Sequence, residues 1–85
     1  MGNLRSIDML VLDDIFQMGG GYVLNFSDRT FREFFIEEVK VDIDEARFEA
    51  NGTSKAKRLR CFLQTADKAD VVRALEALWE YREVV

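Results

Sequence analysis

The sequence predicts an all-α fold, a compact bundle of four main helices with one short additional helical turn. Four segments carry apolar residues at the three- and four-residue spacing of an amphipathic helix. The only stretch with strand character, residues 22–26, alternates poorly and has no partner strand, so we interpret it as an ordered connection. The 85 residues include no proline, which leaves the turns to glycine, asparagine, aspartate and serine.

The first half of the chain predicts two helices. Residues 6–18 form the first, with Ser6 as its N-cap and the glycines at 19–21 as its stop. We expect one apolar stripe on this helix, made of Ile7, Leu10, Val11, Ile15 and Met18, and a solvated side with Asp13 and Asp14. The second helix begins after Ser27 as N-cap and carries three phenylalanines on one face.

The second half predicts a short helical turn at residues 42–48 and then two further helices. The third helix begins after Thr53 or Ser54 and ends near Gln64, and Asp67 caps the fourth. The inner face of the fourth helix is predicted to comprise Val71, Val72, Leu75, Leu78 and Trp79. The predicted core centres on Phe31, Phe34, Phe35, Leu59, Phe62, Leu63, Leu75, Leu78 and Trp79.

Composition indicates one folded domain over residues 1–85, because 48% of the residues are hydrophobic. A lone cysteine, Cys61, cannot form an intrachain disulfide, and the apolar runs are far shorter than a membrane span. We therefore expect a cytoplasmic protein without a membrane partner. The helical pattern continues to Val85, so we expect this domain to be the N-terminal module of a longer protein.

The sequence offers no complete catalytic set. It has no histidine, the commonest general base, and the glycines at 19–21 are not followed by the lysine of a phosphate-binding loop. The acidic residues Asp42, Asp44, Glu45 and Glu49 lack the spacing of a calcium loop and are better explained by capping and solubility. Cys61 is interpreted as a small buried apolar residue. We therefore predict a protein that is not an enzyme and uses neither cofactor nor metal.

The strongest local feature is a basic run at residues 54–60, which carries Lys55, Lys57, Arg58 and Arg60 at a helix start. These cations are the candidate binding residues, since they suit the phosphates of RNA or DNA or an acidic protein surface. A solvated helix face that pairs with nearby carboxylates explains the same pattern. The contrast with an otherwise acidic chain favours head-to-tail self-association as well as nucleic-acid binding.

Several stretches together resemble a small N-terminal domain of bacterial abortive-infection (phage-defence) proteins. They are MGGGYVLNFSDRTF at residues 18–31 with Phe34 and Phe35, VDID at 41–44, GTSKAKRLR at 52–60 and ALWEYR at 77–82. The resemblance covers about residues 10–83. It implies an accessory domain, acting as a sensor, adaptor or oligomerisation unit ahead of a larger toxin or nuclease region, and it supplies no catalytic residues.

These observations lead to two hypotheses. The first is a non-catalytic protein-interaction module of an anti-phage defence protein, which binds a protein partner or a second copy of itself. The alternative is a nucleic-acid-binding module that uses the basic helix.

Overall fold

The computed structural model describes residues 5–84, so the predicted domain limits at residues 1 and 85 lie outside the described part. Helix α1 spans Ser6–Ile15, α2 spans Asp28–Phe34, α3 spans Lys55–Thr65 and α4 spans Lys68–Val84. A π-helical turn at Phe35–Val39 extends α2, and short 3-10 turns lie at Gly19–Gly21 and Ala46–Glu49. The predicted all-α bundle of four helices with a short extra turn is confirmed. The extra turn lies at Ala46–Glu49, so it begins later than the predicted residues 42–48.

Local capping explains where two of the helices begin. The Ser27 hydroxyl accepts a hydrogen bond from the Thr30 amide at 3.2 Å, and Ser54 does the same for Lys57 at 3.2 Å. Both predicted caps are confirmed. The predicted cap of α1 is wrong, because Arg5 occupies the N-cap position and its backbone amide donates to the Asp8 carboxylate at 2.9 Å.

The C-terminal end of α1 differs from the prediction. The helix ends at Ile15, and Gln17 takes the left-handed conformation with φ of 53°, ahead of the glycines at 19–21. This early stop turns the chain so that Phe16 and Met18 enter the core. In the next segment, the Leu24 amide donates to the Phe16 carbonyl at 2.9 Å. This hydrogen bond holds the connection against the end of α1.

The core confirms most of the predicted residues. Six of them are fully buried: Phe31, Phe35, Leu59, Phe62, Leu63 and Leu78. Phe34 and Leu75 are partly buried against this core, whereas Trp79 is 48% exposed and was placed there wrongly. Connections between the helices supply much of the remainder, including Met18, Val23, Phe26, Ile43 and Phe48. A chain this short has too few helical positions to fill a core, so its connecting segments contribute.

Helix α4 is rotated relative to the predicted inner face. Its buried positions are Val71, Ala74, Ala77 and Leu78, while Val72 is exposed together with Trp79. Helix α4 packs against the π-helical turn. Arg73 links α4 to this turn, because its Nη1 donates to the Val39 carbonyl at 3.1 Å.

Candidate interaction surfaces

Helix α1 has two apolar faces, and the core uses the one that the sequence did not favour. Met9 is buried, and Leu12 packs partly buried against the core one turn later. The predicted stripe instead places Ile7, Leu10 and Val11 in solvent, with exposed fractions of 59%, 69% and 53%. Only the far end of that stripe, Ile15 and Met18, turns inward.

The outward face, defined as Ile7, Leu10 and Val11, is a continuous helical surface. Its members stand three and four positions apart, so they lie side by side on α1. Single exposed apolar residues are ordinary on protein surfaces, but adjacent large ones on one helix face are typical of an interaction site. The exposed charge closest in helical register is Asp14, which follows Leu10 by one turn.

The basic run of α3 is largely engaged within the molecule. Arg58 has a side chain only 5% exposed, and its Nη2 donates to Asp28 Oδ1 at 2.9 Å. A second carboxylate, that of Asp44, accepts from Nη1 of the same guanidinium. Lys55 is also buried, with its Nζ 3.7 Å from Asp28 Oδ1 and 5.0 Å from the centroid of the Tyr22 ring. These two cations face the protein and leave little of their charge to an external phosphate.

The remaining cations of the run, Arg60 and Lys57, differ in whether they form an ion pair. Arg60 forms a two-point contact with Asp13, with Nε to Oδ1 at 3.1 Å and Nη2 to Oδ2 at 2.9 Å. Asp13 was expected on the solvated side of α1, and it instead joins α1 to α3. Lys57 is exposed and takes part in no ion pair of the described residues 5–84. The structure therefore presents one cation of the run to solvent and uses three to hold α3 in place.

Burial also limits what Arg58 can bind. Its Nε is shielded from solvent and has no hydrogen-bond partner, and the guanidinium lies 6.0 Å from the Phe31 ring centroid. Its other nitrogens already meet the carboxylates of Asp28 and Asp44. An added anion would have to displace a carboxylate to reach this group.

The acidic segment near residues 42–49 is built around capping. Asp42 Oδ1 accepts from the Asp44 amide at 2.9 Å, and both Asp42 oxygens meet Arg32 at 3.3 Å. The hydrogen bond from Arg32 holds the pKa of Asp42 below its usual value, with help from the Asp44 amide. The same contact raises the pKa of Arg32. Within residues 5–84, no group of three or more acidic, cysteine or histidine side chains is arranged to hold a metal.

Cys61 is buried, as its sequence context predicts. Its Sγ lies 3.5 Å from the Arg47 carbonyl oxygen, to which it donates. The contact fastens α3 to the 3-10 turn at Ala46–Glu49.

Comparisons of this chain with protein-family models, with curated proteins and with solved structures give no significant match. Over residues 5–84, none of the helices has the length and apolar character needed to cross a membrane.

Proposed function

We propose that this chain is a non-catalytic protein-interaction module of a bacterial anti-phage defence protein, acting in the cytoplasm. The observation that carries the interaction role is the outward apolar face of α1, where Ile7, Leu10 and Val11 are each more than half exposed. The defence role is supported by the resemblance of residues 18–31 and the other quoted stretches to the accessory domain of abortive-infection proteins.

A second copy of the chain is the occupant that we propose for this face. A helix packed against its own copy about a two-fold axis forms a self-complementary contact, in which each residue is used twice. An antiparallel arrangement centred near Leu10 places the two exposed Asp14 side chains at opposite ends of the contact, whereas a parallel arrangement would set them side by side. Repulsion between these like charges favours the antiparallel direction of pairing.

The size of the contact sets its expected strength. Three apolar side chains on each partner make an interface smaller than those of permanent dimers. We therefore expect a weak and concentration-dependent association. Such an interface suits a module that assembles when its local concentration rises, as an oligomerisation or sensor unit does.

Sedimentation equilibrium over micromolar to millimolar concentrations tests the proposal. The average mass of the wild-type chain should rise with concentration, and Leu10→Lys should remain monomeric. Val72→Lys is the matched control, since Val72 is an exposed apolar residue on a different helix, and it should associate like the wild type. A wild-type chain that stays monomeric throughout the range would contradict the proposal.

The defence role is tested separately in cells that carry the full-length gene. Leu10→Lys should reduce protection against phage infection, while Val72→Lys should leave it unchanged. Equal protection by the two variants would show that the α1 face has no part in defence.

Nucleic-acid binding through Lys55, Lys57, Arg58 and Arg60 is the alternative function. In that case Lys57 makes the first phosphate contact, because the other three cations are engaged with carboxylates.

A further inference from the structure

A second candidate interaction surface lies along helix α4. A shallow cavity of about 280 Å³ lies where the end of α2 and the π-helical turn meet α4, and it is lined by Phe34, Glu38, Ala77, Glu80, Tyr81 and Val84. A neighbouring cavity of about 660 Å³ shares Glu38, Ala77 and Glu80 and continues to Arg73, Glu76 and Trp79. We call the two together the α4 groove. Between Arg73 and Val84 it follows α4 for roughly 16 Å, about three helical turns.

The floor of the α4 groove is apolar and held in place. Phe34 packs edge-on against Tyr81, with ring centroids 5.6 Å apart, and Tyr81 stacks on Phe26 at 4.3 Å. The Tyr81 hydroxyl donates to Asn25 Oδ1 at 2.6 Å and fixes the ring. An occupant therefore meets a surface that is already formed, which lowers the entropic cost of binding.

The edges of the α4 groove carry negative charge that the protein does not neutralise. Glu38 and Glu80 border it, and Glu76 follows along α4. Among residues 5–84, none of these three forms an ion pair, although Asp13, Asp28 and Asp44 all do. The cation along the groove, Arg73, is already bound to Asp70 at 2.9 Å and to the Val39 carbonyl.

We propose that the α4 groove binds a cationic amphipathic helix of a protein partner. The apolar floor accepts the apolar side of such a helix, and the three glutamates meet its lysines and arginines. Trp79 at the rim offers the large, partly exposed aromatic surface that is enriched at energetically important interface positions. The inference goes beyond the proposed function, because it concerns another surface and another partner.

The negative charge of the α4 groove favours this occupant over nucleic acid and over a second copy of the chain. Nucleic acid would be repelled by the glutamates. A second copy of the chain fits poorly, since its exposed apolar helix face on α1 is bordered by Asp14 and therefore carries the same sign of charge. The complementary chemistry has to come from a basic segment of a different protein.

The experiment uses a synthetic helical peptide of about 12 residues, long enough for three turns, with leucines at helical spacing, lysines elsewhere and no tryptophan. Fluorescence of Trp79, the single tryptophan of the chain, reports binding. The peptide should bind the wild-type chain, and a matched peptide with glutamates in place of lysines should not. Binding should persist in Leu10→Lys, which makes failure of this inference distinguishable from failure of the α1 interface.

Two charge-matched variants locate the site. Glu38→Lys/Glu80→Lys should weaken peptide binding at least tenfold, and the milder Glu80→Gln should weaken it in the same direction. Glu45→Lys/Glu49→Lys changes the net charge equally but lies off both the α4 groove and the outward face of α1, so it should retain most of the affinity. No binding to the wild type, or equal weakening by the two double variants, would overturn the proposal.

Discussion

Arg58 and Asp28 join α3 to the first turn of α2 through an ion pair in which the arginine is buried and the aspartate is exposed to solvent. Arg58 Nη2 donates to Asp28 Oδ1 at 2.9 Å across 30 residues of sequence. The arginine side chain is 5% exposed, whereas the aspartate side chain is 77% exposed. The cation therefore carries the desolvation cost of the pair, and the carboxylate is stabilised by water whether or not it is paired.

This asymmetry predicts unequal effects of removing the two partners. Asp28→Asn/Asp44→Asn leaves the buried guanidinium without a carboxylate and should lower the free energy of unfolding by about 3 kcal/mol. Arg58→Met removes the charge together with its desolvation cost and leaves two carboxylates in water, so it should be milder. Urea unfolding of the variants measures the difference, with Asp14→Asn as an exposed control that forms no ion pair within residues 5–84. A larger loss in Arg58→Met than in the double variant would contradict the prediction.

The same pair shows why the role of the basic run could not be predicted. Lysines and arginines in a short stretch are visible in the sequence, but their partners are distant. Asp44 lies 14 residues from Arg58, Asp28 lies 30 residues away, and Asp13 lies 47 residues from Arg60. By contrast, the caps at Ser27 and Ser54 were predictable because each hydroxyl meets an amide only three residues further on.

Helix α1 shows a second limit of sequence reasoning. Periodicity correctly indicates an apolar stripe through Ile7, Leu10 and Val11, but Met9, Leu12 and Phe16 form another. Two stripes of similar strength do not reveal which one faces the core. The early end of α1 and the buried connection that follows it determine which stripe faces the core. Neither feature is visible in the helical spacing.

The alternative nucleic-acid function can be tested on the exposed cation of the run. Because Lys55, Arg58 and Arg60 are held by carboxylates, few phosphate contacts are available, and we expect binding to a short single-stranded RNA in the weak non-specific range, with a Kd of about 10⁻⁵ M or higher. Lys57→Gln should reduce the salt dependence of that binding by about one phosphate contact. Fluorescence anisotropy at several salt concentrations measures both.

A different result would favour the alternative. Tight binding with a steep salt dependence, lost when Lys55, Lys57, Arg58 and Arg60 are changed to glutamine, would make the basic helix a nucleic-acid site. Circular dichroism has to accompany these variants, because three of the four positions also hold α3 against its neighbours.

The two faces of α1 predict opposite stability effects at adjacent positions. Met9→Ala opens a cavity in the core and should lower the free energy of unfolding by about 2–4 kcal/mol. Leu10→Ala removes side-chain atoms that are already largely in water, so its effect should stay within about 0.5 kcal/mol. Chemical denaturation at low protein concentration measures both without a contribution from self-association. Similar losses in the two variants would show that α1 does not have one buried and one outward apolar face.

The contact between Asp42 and Arg32 predicts an acid-sensitive contribution to stability. The pKa of Asp42 is lowered in the folded chain, first by the hydrogen bond from Arg32 and then by the Asp44 amide. The deprotonated form therefore favours folding. This contribution is fully present above the unfolded aspartate pKa of about 3.9, and it is lost as the pH falls through the lower folded value. The raised pKa of Arg32 adds no pH dependence at acid pH, since arginine remains charged throughout.

Asp42→Asn isolates the charge, because its amide oxygen can still accept the Asp44 amide that Asp42 Oδ1 accepts at 2.9 Å. The wild type should be more stable than this variant at pH 7, and the difference should shrink below about pH 4 as Asp42 becomes protonated. Arg32→Gln should show the same convergence, since it removes the same pair. Both Asp42 and Arg32 are accessible to solvent, so high salt should also reduce the difference at pH 7. Urea midpoints at the two pH values measure the effect, and a difference that persists unchanged at pH 2.5 would exclude the ion pair as its cause.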